Sequence, residues 1–85
     1  MKTHGNQEEH WIFIHNLPPN TPKEWIQNLF KEAGSILKVE APLRPNARGK
    51  WFGFVRFEDL ASFTKAIQIF NGFVLKGFRL FVVKA

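Results

Sequence analysis

The sequence GKWFGFVRF, residues 49–57, carries four aromatic side chains in a run long enough for one β-strand, with a basic residue near each end. Because side chains alternate between the two faces of a strand, one face carries Lys50, Phe52, Phe54 and Arg56. Burying both cations without partners would cost a large free energy. We therefore predict that this face points outward and presents two aromatic rings between two cations.

The first and last predicted strands add aromatic side chains to the same outward face. In residues 11–17, Ile12 and Ile14 are expected to point inward, so Phe13 points outward. Trp11 and His15 share the parity of Phe13. In the last strand, residues 78–84, the outward positions are Arg79, Phe81 and Val83. Soluble monomers seldom leave a contiguous apolar patch of this kind unused.

The order of elements along the chain is β-α-β-β-α-β. Two apolar stripes with helical spacing lie in residues 22–33 and 60–70, with Thr21 and Asp59 as predicted helix caps. Residues 35–41 form the second predicted strand, and residues 73–77 form a turn before the last one. The predicted fold is an α+β, ferredoxin-like sandwich, in which two helices cover one face of a four-stranded antiparallel sheet.

Composition restricts the class of protein and of partner. At 85 residues the chain has room for one modest core, and its net charge of +5 with a pI near 10 favours an anionic partner. We predict a flexible tail over residues 1–10 and a single domain over residues 11–85. The chain has no cysteine, so a disulfide framework is excluded, and no apolar run is long enough to span a bilayer.

Signs of catalysis and of metal binding are lacking. The only aspartate, Asp59, is accounted for as a helix cap, and neither serine has an identifiable histidine and acid partner. The three histidines are scattered and have no clustered acids or thiols beside them. We therefore expect a protein that is not an enzyme and that has no cofactor and no metal.

Two short motifs resemble those of the RNA recognition motif family. Residues 12–17, IFIHNL, resemble the RNP2 motif, and residues 50–57, KWFGFVRF, resemble the RNP1 motif, (K/R)-G-(F/Y)-(G/A)-F-V-x-(F/Y). The one departure is Trp51, which stands where the family has glycine. The resemblance extends over residues 11–85, and the two motifs occupy matching places in the predicted β-α-β-β-α-β order.

The resemblance implies roles for individual side chains. Phe13 and Phe54 would each stack on one base, Phe52 would contact sugars or a neighbouring nucleotide, and Lys50 would pair with a phosphate. The basic residue that the family carries after a glycine has no direct counterpart, since Phe78 follows Gly77 and Arg79 comes one position later. The contacts of Arg79 are therefore left open.

Further candidate residues surround the aromatic face. Arg44, Arg48 and Lys50 make the loop before the third strand basic, and such a loop beside a stacking face favours phosphate contacts over a purely solubilising role. Lys38 could add to this charge, opposed by Glu40. Trp11 could contact RNA or only cover the edge of the sheet, and Phe81 could be a stacking surface or only fill space beside the first strand. His15 could hydrogen-bond a base or remain solvated, and Arg79 is a further candidate for a hydrogen bond to a base edge.

The orientation of Trp51 follows from the same alternation. The alternation along the strand directs the side chain of Trp51 inward. We therefore predict that Trp51 packs at the edge of the core and that Trp51→Ala mainly lowers thermal stability. The alternative is a strand that starts later, with Trp51 turned towards a ligand.

Together these features predict a domain that binds single-stranded RNA in an RNA-processing or mRNA-regulatory protein, inside the cell, in the nucleus or the cytoplasm. Rings for bases and cations for phosphates are the chemistry that an unpaired strand requires. A neighbouring RNA-binding unit is expected to assist, because few bases are held. The alternatives are a protein-interaction module that uses the same fold and a domain for single-stranded DNA; membrane binding is not expected.

Overall fold

A computed structural model of the chain describes residues 9–85. The expected tail, residues 1–10, lies outside the described residues except for Glu9 and His10, and His10 already belongs to the first strand. The strands are β1 (His10–Leu17), β2 (Ile36–Glu40), β3 (Trp51–Phe57), β4 (Val74–Leu75), β5 (Phe78–Arg79) and β6 (Phe81–Lys84). The helices are α1 (Lys23–Phe30), followed by the short 3₁₀ helix Lys31–Ala33, and α2 (Leu60–Phe70).

The main sheet has four antiparallel strands in the order β2-β3-β1-β6. This confirms the predicted α+β fold, with β1 and β3 in the centre. The register places Phe13 opposite Phe54 and Ile12 opposite Val55. Because neighbouring positions on a strand point to opposite faces, this register puts one aromatic pair on the open face and one aliphatic pair in the core.

The core lies between the sheet and the two helices, as the alternation predicts. The sheet contributes Ile12, Ile14, Val55, Phe57 and Val82, and the helices contribute Ile26, Phe30, Ala66 and Phe70. Leu80, between β5 and β6, is also fully buried. Gly53 allows close packing at this layer, since a Cβ atom there would lie 3.3 Å from Ile26 Cδ1 and 3.2 Å from the Glu40 carbonyl oxygen.

The prediction of one continuous last strand over residues 78–84 is wrong. Phe78 and Arg79 pair instead with β4 in a separate two-stranded sheet, and only Phe81–Lys84 join β1. Residues 73–77, predicted as a turn, contribute β4 to this hairpin. Lys76 and Gly77 at its tip both have positive φ, which is the backbone geometry of a tight hairpin turn.

The predicted cap of α1 at Thr21 is also wrong. The Thr21 hydroxyl donates a hydrogen bond to the Pro18 carbonyl oxygen at 2.6 Å, so it stabilises the preceding turn. Pro22 remains extended and occupies the N-cap position without a side-chain hydrogen bond. Trp25 belongs to the apolar stripe of residues 22–33, yet it is 43% exposed, and Lys76 Nζ lies 3.8 Å from the centre of its ring.

Asp59 caps α2 as predicted. Its Oδ1 accepts a hydrogen bond from the backbone N–H of Ser62 at 2.8 Å. This hydrogen bond lowers the pKa of Asp59 below its usual value, because it stabilises the charged carboxylate; the nearby His10 adds a smaller effect of the same sign. The fold therefore gains stability from the ionised form of Asp59.

Replacing the cap tests this contribution. We expect Asp59→Ala to lower the melting temperature by a few degrees at neutral pH, because the Ser62 N–H loses its acceptor. The pKa of Asp59 is lower in the folded state than in the unfolded state. The ionised carboxylate therefore contributes its full stabilisation above the usual aspartate pKa of about 4, and this contribution is lost as the pH falls through the pKa of the folded state. Melting curves at several pH values measure this. Asp59→Asn should retain much of the stabilisation by the cap but lose its pH dependence. If Asp59→Ala lowers the melting temperature by the same amount at every pH, the account is contradicted.

Trp51 lies on the helix side of the sheet, at the edge of the core. Its side chain is half-buried and packs against the buried cluster, and it lines a cavity of about 280 Å³ together with Pro22 and Ala41. The inward orientation predicted from parity is therefore the one observed. The first position of β3 tolerates a large side chain because the sheet ends there and the adjacent loops leave room.

We expect Trp51→Ala to destabilise the fold by about 1–3 kcal/mol, less than a fully buried tryptophan, because it removes part of the edge packing. Chemical denaturation measures this change, and Trp51→Phe should recover much of it. The amide and ring resonances of Phe13 and Phe54 should stay in place, because Trp51 lies on the other side of the sheet. Unchanged stability with a perturbed open face would show that Trp51 turns outward.

Candidate nucleic-acid interface

An aromatic cluster formed by Phe13, Phe52 and Phe54 occupies the open face of the two central strands. All three side chains are half-buried, and none belongs to the hydrophobic core beneath the sheet. The ring of Phe52 stands edge-on to Phe13 and to Phe54, with centroid distances of 5.8 Å and 6.1 Å. The outward parity that the two cations of β3 predict is therefore the one observed.

Phe13 and Phe54 stack on each other. Their ring centroids are 4.8 Å apart and their planes differ by 15°, so the two faces overlap. His15 lies beside Phe13, and the centroids of these two rings are 3.9 Å apart. A planar ligand can therefore use the remaining face of Phe54 directly, whereas the space between Phe13 and Phe54 opens only if the pair separates, at a cost of about 0.5–1.5 kcal/mol.

Trp11 and Arg56 extend the open face beside the cluster. Trp11 stands edge-on to Phe54 with a centroid distance of 6.4 Å, and its Nε1 donates to Glu9 Oε1 at 2.8 Å. Arg56 lies opposite Trp11 in the register and is half-buried. Its buried Nε has no hydrogen-bond partner among the residues that the structure describes. Because this nitrogen is buried, Arg56 adds positive charge to the open face but does not present its Nε to a ligand in this structure.

A second group of candidates meets at the end of β1. A cavity of about 460 Å³ is lined by His15, Asn16, Asn46, Arg48, Lys50 and Phe81. Phe81 lies opposite His15 in the register and is 49% exposed. The cavity thus combines an exposed ring with two cations from the loop before β3. This combination is suited to an aromatic base and its phosphate.

Asn46 organises the loop that carries these cations. Its Oδ1 accepts hydrogen bonds from the backbone N–H groups of Arg48 at 2.9 Å and Lys50 at 3.0 Å, and its own N–H donates to the Lys50 carbonyl oxygen at 2.8 Å. Gly49 completes the turn with a positive φ of 76°. Sequence analysis missed Asn46, although an asparagine three residues before a glycine is a recognisable turn signal.

Other predicted candidates lie apart from the aromatic cluster. Arg79 belongs to the hairpin, where its Nη1 lies 3.4 Å from the Gly72 carbonyl oxygen, and its own carbonyl accepts a hydrogen bond from Asn16 Nδ2. Arg44 is exposed in the loop but does not line the cavity at the end of β1. Lys38 lies on the open face opposite Arg56, and its Nζ is 3.4 Å from Glu40 Oε2.

Two other kinds of site were sought in the structure. Residues 9–85 contain no group of three or more histidine, aspartate or glutamate side chains placed to hold a metal ion. Over the same residues, neither helix has the length and apolar character needed to cross a membrane.

Comparison with known proteins identifies the family. Residues 12–80 match the profile of the RNA recognition motif. The chain is 33% identical over 76 residues to RNA-binding protein 7 of Danio rerio, covering 89% of this chain and 30% of that protein. It is 34% identical over 71 residues to a polyadenylate-binding protein, cytoplasmic and nuclear, of Candida glabrata, covering 84% of this chain and 12% of that protein. The chain thus spans less than a third of the length of these curated relatives.

Solved structures agree with this assignment. The structure of Pes4 RRM3 superposes with a TM-score of 0.80 at 34% identity, covering 89% of this chain and 90% of that one. The Rna15 RRM with bound RNA (GU) superposes with a TM-score of 0.78 at 20% identity and shares the fold, covering 92% of this chain and 84% of that one. With a matching profile over most of its length, the chain belongs to the RNA recognition motif family of non-catalytic RNA-binding domains.

Proposed function

We propose that this domain binds single-stranded RNA across the open face of its sheet. The observation that carries the proposal is the aromatic cluster on β1 and β3, exposed on the face opposite the helices and flanked by cations. Bases of an unpaired strand can stack on such rings, whereas a duplex keeps its base faces covered. Phe54 and Phe13 would receive bases, and Phe52 would contact a sugar or a neighbouring nucleotide.

Basic side chains around the cluster would hold the phosphates. Lys50 and Arg48 are fixed by the loop hydrogen bonds of Asn46, so fewer loop conformations are lost when they bind. Arg56 adds a positive charge on the open face itself. The role of Lys38 would be smaller because Glu40 neutralises it. Trp11, His15 and Phe81 would extend the surface, whereas Arg44 and Arg79 would contribute mainly to the positive field.

Energetics suggest that the domain acts with another RNA-binding unit. Stacking is worth about 1–3 kcal/mol per base, and association costs about 4–15 kcal/mol. Two or three stacked bases therefore give modest affinity, which a linked neighbour would raise through its effective concentration. The relatives named above are RNA-binding proteins several times longer than this chain. We propose a parent protein that acts in RNA processing or mRNA regulation in the nucleus or the cytoplasm.

The experiment is a titration of the protein with a fluorescent single-stranded RNA of random sequence at low and at physiological salt. Binding should weaken with salt, with a slope of roughly −0.7 per phosphate neutralised. Phe54→Ala should weaken binding by about 1–3 kcal/mol, because one stacking surface is lost. Lys50→Ala should reduce the salt slope by about 0.7 and spare most of the stacking.

Trp25→Ala is the matched control, because it removes an exposed aromatic side chain from the helix side of the domain. Melting curves verify that each variant is folded. The proposal fails if binding is indifferent both to salt and to Phe54→Ala, and a protein partner on this face then becomes the better explanation. The same titration with the deoxy oligonucleotide separates RNA from single-stranded DNA.

A further inference from the structure

A second cavity lies at the opposite end of the aromatic cluster from the basic loop. It has a volume of about 330 Å³ and is lined by Glu9, Trp11, Glu40, Phe54 and Ala85. Phe13, the stacking partner of Phe54, lies opposite it on β1, whereas Glu40, which lines the cavity, lies opposite it on β2. The cavity therefore reaches the side of Phe54 that faces β2. Trp11, perpendicular to Phe54, forms a wall. This is the side of Phe54 on which a base could stack without separating the two phenylalanines.

One carboxylate in this cavity is placed to contact the edge of such a base. Glu40 lies directly opposite Phe54 in the register of β2 and β3, and its side chain is 49% exposed. Its Oε2 lies 3.4 Å from Lys38 Nζ in an exposed pair, which leaves further acceptor positions on the carboxylate. The other carboxylate, Glu9, already accepts the hydrogen bond of Trp11 Nε1 at 2.8 Å. Both carboxylates keep unused acceptor positions, but Glu40 is the one that the main sheet holds directly opposite Phe54.

A carboxylate accepts hydrogen bonds but donates none, and this restricts which base edge it favours. Guanine carries two adjacent donors on its Watson–Crick edge, N1–H and the N2 amino group, which match the two oxygens of a carboxylate. Adenine and cytosine place a single amino group beside a ring nitrogen lone pair, and uracil places its one N–H between two carbonyl oxygens. The two carboxylates make this cavity a poorer place for a phosphate than the opposite cavity, which Arg48 and Lys50 line.

We propose that Glu40 is a specificity-determining residue that makes the Phe54 position of the RNA-binding face select guanine. The inference rests on the proposed function, because it requires a base to stack on Phe54. Guanine would lie on the free face of the Phe54 ring, with its N1–H and N2 amino groups donating to the Glu40 carboxylate. Hydrogen bonds to a charged acceptor are stronger than neutral ones, and a good bidentate pair to a base discriminates well against the other bases.

The test compares four RNA oligonucleotides that consist of uridine except for one central position, occupied by guanosine, adenosine, cytidine or uridine. Fluorescence anisotropy measures the affinity of each for the wild-type protein and for Glu40→Gln. The wild type should bind the guanosine oligonucleotide about tenfold more tightly than the other three. In Glu40→Gln this preference should fall to about twofold or less, because the amide offers one acceptor and presents a donor to the second guanine donor. An inosine oligonucleotide, which lacks the N2 amino group, should bind the wild type with intermediate affinity.

Glu32→Gln is the matched control, since it removes the same charge from an exposed side chain on the 3₁₀ helix. It should retain the full preference for guanosine. If Glu40→Gln merely relieves repulsion of the phosphates, the affinity for all four oligonucleotides rises by one common factor and the preference survives, which overturns the proposal. Equal binding of all four by the wild type also overturns it but leaves RNA binding intact. Absence of binding to every oligonucleotide overturns the proposed function itself.

Discussion

The pairing of β1 with β3 is the constraint on which both layers of the molecule depend. It places Ile12 against Val55 beneath the sheet and Phe13 against Phe54 above it. A slip of one residue would exchange these faces, burying Arg56 and exposing the aliphatic core. The hydrophobic core therefore fixes the register, and the register in turn places the phenylalanine rings on the open face. The pairing of β1 with β3 therefore both stabilises the domain and positions the side chains of its candidate site.

The open face is electrostatically asymmetric along β1. At the end of the strand, His15 and Phe81 meet Arg48 and Lys50, whereas at its beginning the carboxylates that line the cavity beside Phe54 have Arg56 and Lys38 as neighbours. Trp11 and His15 are four positions apart, which corresponds to about 13 Å along a strand. One end of the open face is therefore basic, whereas the other carries charges of both signs.

Much of this organisation could be predicted from residue patterns, because side chains alternate regularly along β3 and along β1 as far as His15, and two cations mark the outer face of β3. The inward orientation of Trp51, the cap at Asp59 and the outward orientation of Phe13, Phe52 and Phe54 all follow from parity or helix chemistry. The hairpin of β4 and β5 could not be predicted in the same way. Its pairs are short, and residues 78–84 alternate as though they formed one continuous strand.

Side-chain detail at the candidate site depends on tertiary contacts that a linear pattern does not contain. The stacking of Phe13 on Phe54 and the place of Glu40 beside Phe54 require the register of two strands. The four hydrogen bonds that Asn46 makes within its loop require the closed geometry of that loop. From the sequence, Glu40 is only a charge that opposes Lys38, and nothing connects it with a base. Arg79 was assigned to the sheet because the break after β5 was not recognised.

The central claim is that bases lie against the rings of β1 and β3, and NMR of the protein with a short single-stranded RNA tests it most directly. With ring-labelled phenylalanine, the account predicts intermolecular nuclear Overhauser effects between base protons and the rings of Phe13, Phe52 or Phe54. Base protons should also shift upfield, as expected for protons above an aromatic ring. Nuclear Overhauser effects confined to α1, α2 or the β4–β5 hairpin, with the rings of the open face unperturbed, would contradict the account.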